Sequence, residues 1–483
     1  MMDGAKAVPR PMTRPWGERL GALTARAAGT YPFVPWPPAV CIGVPIFPLR
    51  KNIIIWRPPY EWPMGKFVLR CAGCSKEQGP ERLGCAMDLG LLRADYERKR
   101  LTPAPHPGIW KFLDWLPVDG TIERFTGGPI AYQSEGLAGE LGLKDLWIAF
   151  NGHWPERGAD LPTCSFKDLE APPTVRRLME GGGRDVLVVS SAGNTGRAFA
   201  HMSCLTGYPL VLVVPSSAVP KLWLPPGDDD PSSIFVVSVE GDYTDAIQLG
   251  ERIAAKRGFV PEGGARNIAR RDGMGTVMLE SVLAMGALPD RYFQAVGSGT
   301  GGIAAWEASM RLIGDGRFGS RLPVLHLAQN LPCAPIYSAV HGGAPDPKCP
   351  SGMYDAVLFN RRAPFDVPGG VADALAATHG SVAGITNREG EEASRMFEDR
   401  EGIDIMPAAA VAVAALVKAV ADGSVGKDEK VLLNITGGGE GRLKRGSALD
   451  RLEADMNVPK GEGTELIVNK ANHKLRKAKR AIS

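Results

Sequence analysis

The sequence has no apolar run long enough to cross a membrane. Its longest, "PAAAVAVAALVKAVADG" at residues 407–423, carries Lys418 and falls short of the roughly 20 apolar residues that a spanning helix needs. It reads as a buried core helix opened by Pro407. The amino terminus lacks a compact apolar segment, so no secretory signal is expected. Charge imbalance is also small: 56 Lys and Arg stand against 53 Asp and Glu, a net of +3. Neither nucleic acid nor an anionic membrane is therefore required as a partner. Cysteine is scarce, with eight in 483 residues, too few for a disulfide scaffold. Three of them cluster, which points to a metal before disulfides and leaves a reducing, cytoplasmic setting as the default. With 44% hydrophobic residues and a mean hydropathy of −0.08, the chain can bury a large core in two or three domains.

Proline is present in quantity but unevenly. Residues 1–63 hold a dozen, as in "YPFVPWPPAV" and "WRPPYEWP", a density that blocks helix and interior strand. This stretch is expected to be a disordered extension without a catalytic role. Strand character begins with "MGKFVLRCAGC" at Met64. From about residue 180 the pattern becomes regular. "RDVLVVSS", "GNTGRAFAHMSCLTG" and "YPLVLVVPSS" make one strand–helix–strand unit, which implies parallel pairing. "SIFVVSVEG" with "YTDAIQLGERIAAKRG", then "RYFQAVGSG" with "GIAAWEASMRLIG" and "LPVLHLAQN", continue the alternation, and "KVLLNITGGG" is a late strand. The expected fold class is α/β, open and doubly wound, with ligands at the strand C-termini. The closing "NKANHKLRKAKRAIS" reads as a solvated basic helix or a frayed end.

Three loops and one lysine carry chemistry. Gly297 to Gly302, in "VGSGTGGIAAW", spell G-x-G-x-x-G between a strand and a helix. A dinucleotide site would also need an acidic residue at the end of the next strand, where Gln329 and Asn330 stand. The surviving reading is a phosphate held by backbone N–H groups at a helix N-terminus, with Gly297, Gly299, Gly301 and Gly302 allowing close approach and Ser298 and Thr300 adding hydroxyls. "SSAGNTGRA" crowds Ser190, Ser191, Asn194 and Thr195 at a strand end, either as plain helix caps or as a site for a carboxylate with an amide donor for another oxygen. "NITGGGEGR" places Thr436 at a sheet edge, as a turn threonine or as a neutral hydroxyl facing a ligand. Upstream, "LPTCSFKDLE" sets Lys167 in a helix start, framed by a candidate capping pair, Ser165 and Asp168. Together these meet the needs of pyridoxal phosphate: a lysine amine, a phosphate cup and a partner for the pyridine nitrogen.

On "SFKDLE", "SAGNTG" and "GSGTGG", in that order over residues 120–445, the chain resembles the fold-type II pyridoxal-phosphate enzymes, the tryptophan synthase β-like group. Within it, "CSFKDLEAPPT", "FLDWLPV", "LLRADYERKRL" and the cysteine-bearing lead are most similar to the cysteate synthases, themselves related to threonine synthases. Leu169-Glu170, where threonine synthases tend to carry a basic residue, favours the cysteate branch. The resemblance implies two open α/β lobes with the cofactor in the cleft between them. It divides the chain into the extension 1–63, a ribbon-like lead 64–105, a catalytic core 106–460 with the smaller lobe near 170–285, and a basic tail 461–483. It implies that Lys167 forms the internal aldimine, Asn194 reaches the cofactor's 3-oxygen, residues 297–302 hold its phosphate and Thr436 meets the pyridine nitrogen. Ser190, Ser191 and Thr195 would hold the substrate carboxylate. The implied reaction is O-phospho-L-serine plus sulfite to L-cysteate plus phosphate through an enzyme-bound aminoacrylate, in a homodimer, with a link to coenzyme M synthesis. Threonine synthase or phosphoserine sulfhydrylase chemistry, and a non-catalytic amino-acid sensor, are the competing readings. Arginines near the two anions are expected, with Arg197, Arg266 and Arg270 as candidates.

Cys71-x2-Cys74 followed by Cys85 is half of a zinc-ribbon spacing. A fourth ligand is missing at the expected place; Asp88 is the nearest candidate and His106 lies farther off. Two expectations stand side by side, a bound zinc ion or a relic ribbon that folds by packing alone. Cys164 adjoins the lysine segment without any sign of being a nucleophile, and the remaining cysteines read as core residues.

Overall fold

A computed structural model describes residues 65–182, 185–191, 193–227, 230–343, 352–358, 360, 365–446 and 449–481. The proline-rich extension expected at 1–63 lies outside them. The described chain opens with an antiparallel sheet of β1 (Phe67–Cys71), β2 (Glu77–Gln78) and β3 (Leu92–Tyr96), in the order β2-β1-β3. Leu69 and Leu92 pack with Ile268, which joins this lead to the core.

Two larger sheets follow. β4 (Ile130–Gln133) and β5 (Asp145–Phe150) start one, and α1 (Ala171–Glu180) crosses to the other. There β6 (Val186–Val189), α2 (Asn194–Thr206), β7 (Leu210–Pro215), β8 (Ile234–Val239), α3 (Tyr243–Ala254) and β9 (Phe259–Pro261) alternate. α4 (Ile268–Met285) leads back to β10 (Arg291–Ala295), α5 (Thr300–Asp315), β11 (Val324–Asn330), β12 (Ser381–Ile385), α6 (Asn387–Glu401), α7 (Pro407–Ala421) and β13 (Lys430–Ile435). β14 (Met456–Val458) and α8 (Thr464–Lys474) return to the smaller lobe.

The smaller lobe's sheet runs β9-β6-β7-β8-β14, all parallel. The larger runs β12-β11-β10-β13-β5-β4, parallel except for the edge strand β4. Every residue of β6, β7 and β8 is buried. That explains their predominantly apolar runs: helices cover both faces, so no position faces water. α7 is buried along most of its length against β10, β11 and β13, as its sequence, apolar but for Lys418, predicts. No described helix is long and apolar enough to cross a membrane.

The C-terminal stretch departs from the sequence reading. It is neither frayed nor merely solvated: β14 extends the parallel sheet beside β8, and Ile467, Ala471 and Leu475 are fully buried against it. Their spacing of four places them on one helical stripe, a signal hidden among the lysines and arginines. The smaller lobe therefore draws on residues 456–475 as well as on the segment expected from 170–285.

Candidate active site

The strand C-termini of both lobes open on one cavity of about 810 Å³, a size suited to a cofactor with a small substrate. Lys167, Ser190, Ser191, Asn194, Thr195, Gly297, Ser298, Gly299, Thr300, Gly301 and Thr436 all line it. Gly302 does not. A Cβ there would come 2.9 Å from Leu327, so this glycine allows helix α5 to pack on its own sheet.

The lysine segment is shaped by its neighbours rather than by a helix cap. Lys167 sits in a tight 3-10 turn, Phe166–Leu169, before α1 begins at Ala171. Ser165 makes no capping bond, and its buried hydroxyl has no partner. The Asp168 carboxylate instead accepts hydrogen bonds from the Thr163 backbone N–H (2.7 Å) and hydroxyl (2.8 Å). Cys164, at φ 58, occupies the left-handed region that non-glycine residues seldom adopt. Backbone bonds Phe166 N–H to Thr436 O (3.1 Å) and Gly438 N–H to Cys164 O (3.1 Å) tie this turn to the end of β13. The lysine and the threonine, 269 positions apart, thus share one backbone junction.

Burial is the main reason that the Lys167 amine is pulled from 10.5 down to about 8; Arg270 pushes the same way and Glu170 opposes both. Lys167 Nζ lies 3.3 Å from Glu170 Oε2. The same oxygen lies 3.0 Å from Arg270 Nε, and Arg270 Nη1 bonds Glu262 at 2.7 Å. This Lys–Glu–Arg–Glu chain is fully or largely buried. Arg266 and Arg270 line the cavity as expected, whereas Arg197 does not. Arg197 stacks 4.5 Å over Trp223, lies 3.6 Å from Glu440 and bonds the carbonyl oxygen of Asn194. The Asn194 amide nitrogen is left to the Met406 sulfur at 3.5 Å, a weak acceptor that a ligand oxygen readily replaces.

The glycine turn after β10 is a backbone cradle. Gly299, at φ 81, caps the 16-residue helix α5. A Cβ at Gly299 would stand 2.3 Å from Val371, and one at Gly301 would stand 2.0 Å from Gln294 Nε2. Ser298 and Thr300 bring their hydroxyls together at 2.8 Å. Backbone N–H groups at a long helix's positive end suit a phosphate.

Sequence reasoning missed Lys221, Tyr243, Glu262 and Gln294, which also line the cavity. Tyr243 hydrogen-bonds Ser191, and burial raises its phenol above the usual range. Gln294 ends a buried relay: its carbonyl accepts from the Tyr292 hydroxyl (2.7 Å), which accepts from Asn434 (2.8 Å), whose carbonyl accepts from Asn151 (2.7 Å). Polar residues inside apolar strands were the available signal. Away from the cavity, Cys71, Cys74, Cys85 and Asp88 converge, without His106.

Among known proteins, residues 134–437 match the family described as pyridoxal-phosphate dependent enzyme. The chain is 55% identical over 393 residues to a cysteate synthase of Methanococcoides burtonii, covering 81% of this chain and 94% of that one. It is 52% identical over 401 residues to a cysteate synthase of Methanothrix thermoacetophila, covering 82% and 96%. Over 406 residues it is 52% identical to a cysteate synthase of Methanosarcina acetivorans, covering 82% and 97%.

Proposed function

The chain belongs to the cysteate synthase family of pyridoxal-phosphate-dependent enzymes, and on that premise we propose that it converts O-phospho-L-serine and sulfite to L-cysteate and phosphate. The observation that carries this reading is the convergence of Lys167, the glycine cradle, Asn194 and Thr436 on one cavity. The residues fit the cofactor. A backbone turn in which Gly299 and Gly301 have no room for a Cβ against Val371 and Gln294 suits its phosphate, and a buried amine suits its aldehyde. Gly297 to Gly301 would hold the phosphate, Lys167 the aldehyde end, Asn194 the 3-oxygen and Thr436 the ring nitrogen. When bound, pyridoxal phosphate supplies an electron sink for the bonds at the substrate's Cα.

The chain's own residues do the rest. With its amine held near 8, Lys167 is partly neutral at pH 7, so Nζ can take the Cα proton and later return it. Glu170, 3.3 Å away, keeps that amine in place. Thr436 offers a hydroxyl rather than a carboxylate, so it would donate to a neutral ring nitrogen without holding it protonated. That weakens the sink and favours early loss of a β-leaving group over prolonged exchange at Cα. Ser190, Ser191 and Thr195 would take the substrate carboxylate. Lys221 and Arg266 on the cavity wall would offer positive charge to phosphate leaving and sulfite entering, while Arg270 is paired with Glu170 and Glu262. The reading extends to a cytoplasmic homodimer. Light scattering reads the assembly.

The test is phosphate release and cysteate formation from phosphoserine with sulfite, with sulfide and with neither, alongside phosphohomoserine. Sulfite-dependent cysteate is the expected result. Phosphate released from phosphohomoserine but not from phosphoserine would overturn the substrate assignment.

A further inference from the structure

The reaction makes no use of the group formed by Cys71, Cys74, Cys85 and Asp88. Their three sulfurs and one carboxylate oxygen all lie within 4.8 Å of one another. Cys74 Sγ is 3.6 Å from Cys85 Sγ, and Cys71 Sγ is 3.1 Å from Asp88 Oδ1. Tetrahedral zinc, with Zn–S about 2.3 Å and Zn–O about 2.0 Å, sets neighbouring ligand atoms roughly 3.5 to 3.8 Å apart.

The two turns that carry these residues match position by position. In Cys71-Ala72-Gly73-Cys74 the first sulfur accepts the N–H of Gly73 (3.3 Å); in Cys85-Ala86-Met87-Asp88 it accepts that of Met87 (3.3 Å). The second ligand of each turn accepts the N–H two residues on, Lys76 for Cys74 and Gly90 for Asp88. Cys71 N–H bonds Lys76 O (3.0 Å), and Cys85 N–H bonds Gly90 O (3.2 Å). The residue after each second ligand, Ser75 and Leu89, takes φ 60 although neither is glycine, a conformation that costs free energy unless its surroundings enforce it. Asp88 therefore stands where a fourth cysteine would in a paired-turn metal site, which the sequence spacing alone did not settle.

We propose that Cys71, Cys74, Cys85 and Asp88 bind one zinc ion as a closed structural site. Four protein ligands leave no open position for catalysis, and thiolate-rich tetrahedral sets favour zinc. The ion would fix both ends of the segment between Cys74 and Cys85. That segment carries Leu83 onto the cavity wall, beside Gly263. The metal thus braces one side of the substrate site without touching the reacting atoms.

Metal analysis of the full-length, cofactor-loaded protein tests this without reference to turnover. About one zinc per chain is expected, and one cobalt after exchange, with thiolate-to-cobalt absorption. Asp88→Ala should weaken zinc binding by at least about tenfold against a chromophoric chelator, while Asp88→Cys retains it. Cys85→Ser should lose the cobalt spectrum; if that variant does not fold, the two Asp88 variants and wild-type chelator competition decide. Folded wild type with reduced thiols that takes up no zinc after equilibration would overturn the proposal, as would an iron–sulfur chromophore. Unchanged zinc affinity in Asp88→Ala would remove Asp88 from the site.

Discussion

The turn after β6, Ser190 to Asn194, and the turn after β10, Gly297 to Thr300, hold equivalent places in the two lobes. Both follow a buried parallel strand and open a helix onto the same cavity. One presents side chains, with hydroxyls on Ser190 and Ser191 and an amide on Asn194. The other presents backbone, and its glycines stand where a Cβ would strike Val371 or Gln294. The side-chain turn has its own tight spot two positions on, in α2, where a Cβ at Gly196 would lie 1.9 Å from the Ser191 carbonyl oxygen. A backbone site is fixed by steric exclusion, so any added atom should damage it. A side-chain site is a set of separate hydrogen bonds, each worth only about 1 kcal/mol net. Damage to the first should appear as lost cofactor, damage to the second as weakened substrate binding.

The largest effect is expected where the two turns meet their shared reactant. Lys167→Ala should abolish the cofactor's lysine-linked absorbance and lower turnover by roughly 10³-fold or more, beyond what loss of a proton-transfer group alone costs. Retention of that absorbance would break the comparison at its root. Gly301→Ala comes next. Its Cβ would meet Gln294 Nε2 at 2.0 Å, and overpacking of this kind costs about 1–3 kcal/mol, or on the order of 10- to 100-fold in cofactor affinity. Gln294 is held by Tyr292, so it cannot simply swing away. If the clash is the cause, the double variant Gly301→Ala/Gln294→Ala should recover part of the loss in equilibrium dialysis. Failure to recover any would mean that the glycine serves backbone conformation instead.

The same division explains what could be read from sequence. Glycines forced by sterics leave a fixed spelling, so the cradle was legible as a phosphate site. The apolar runs of β6, β7 and β8 were legible because full burial permits few other residues. The Gln294–Tyr292–Asn434–Asn151 relay was not, since it joins three separate parts of the chain and only the parallel pairing of β5, β13 and β10 brings them side by side. Glu170 was noticed for its family value, while its physical role needed Arg270, 100 positions on, to come within 3.0 Å of it. Asp168 was assigned to a cap with Ser165 because spacing alone cannot show that Thr163 offers it two donors.

Ser191→Ala should leave cofactor content unchanged and raise the KM for phosphoserine about fivefold, the value of one net hydrogen bond. Because Ser191 also bonds Tyr243, Tyr243→Phe is the control: it removes that partner and leaves the serine hydroxyl in place. If Ser191→Ala released cofactor as Gly301→Ala is expected to, the two turns would not be doing different work.

The smallest effect concerns the pH at which Lys167 becomes usable. Its amine is held near 8 chiefly by burial, with Glu170 raising it and Arg270 lowering it. For a base, a lowered value means that the neutral, reactive form accumulates at lower pH. Below about 8 the rate at which cofactor-free protein takes up pyridoxal phosphate should fall about tenfold per pH unit, and above it the rate should level off. An unperturbed lysine would keep gaining until beyond pH 10. Glu170→Gln removes the negative charge that favours the ammonium form and takes from Arg270 one of its two carboxylate partners, leaving Glu262. Both changes act in the same direction, so the break should move to lower pH. A break that stays in place would separate Glu170 from the lysine's charge and leave it as a tether for Arg270 alone; a move to higher pH would contradict the electrostatic account of the site.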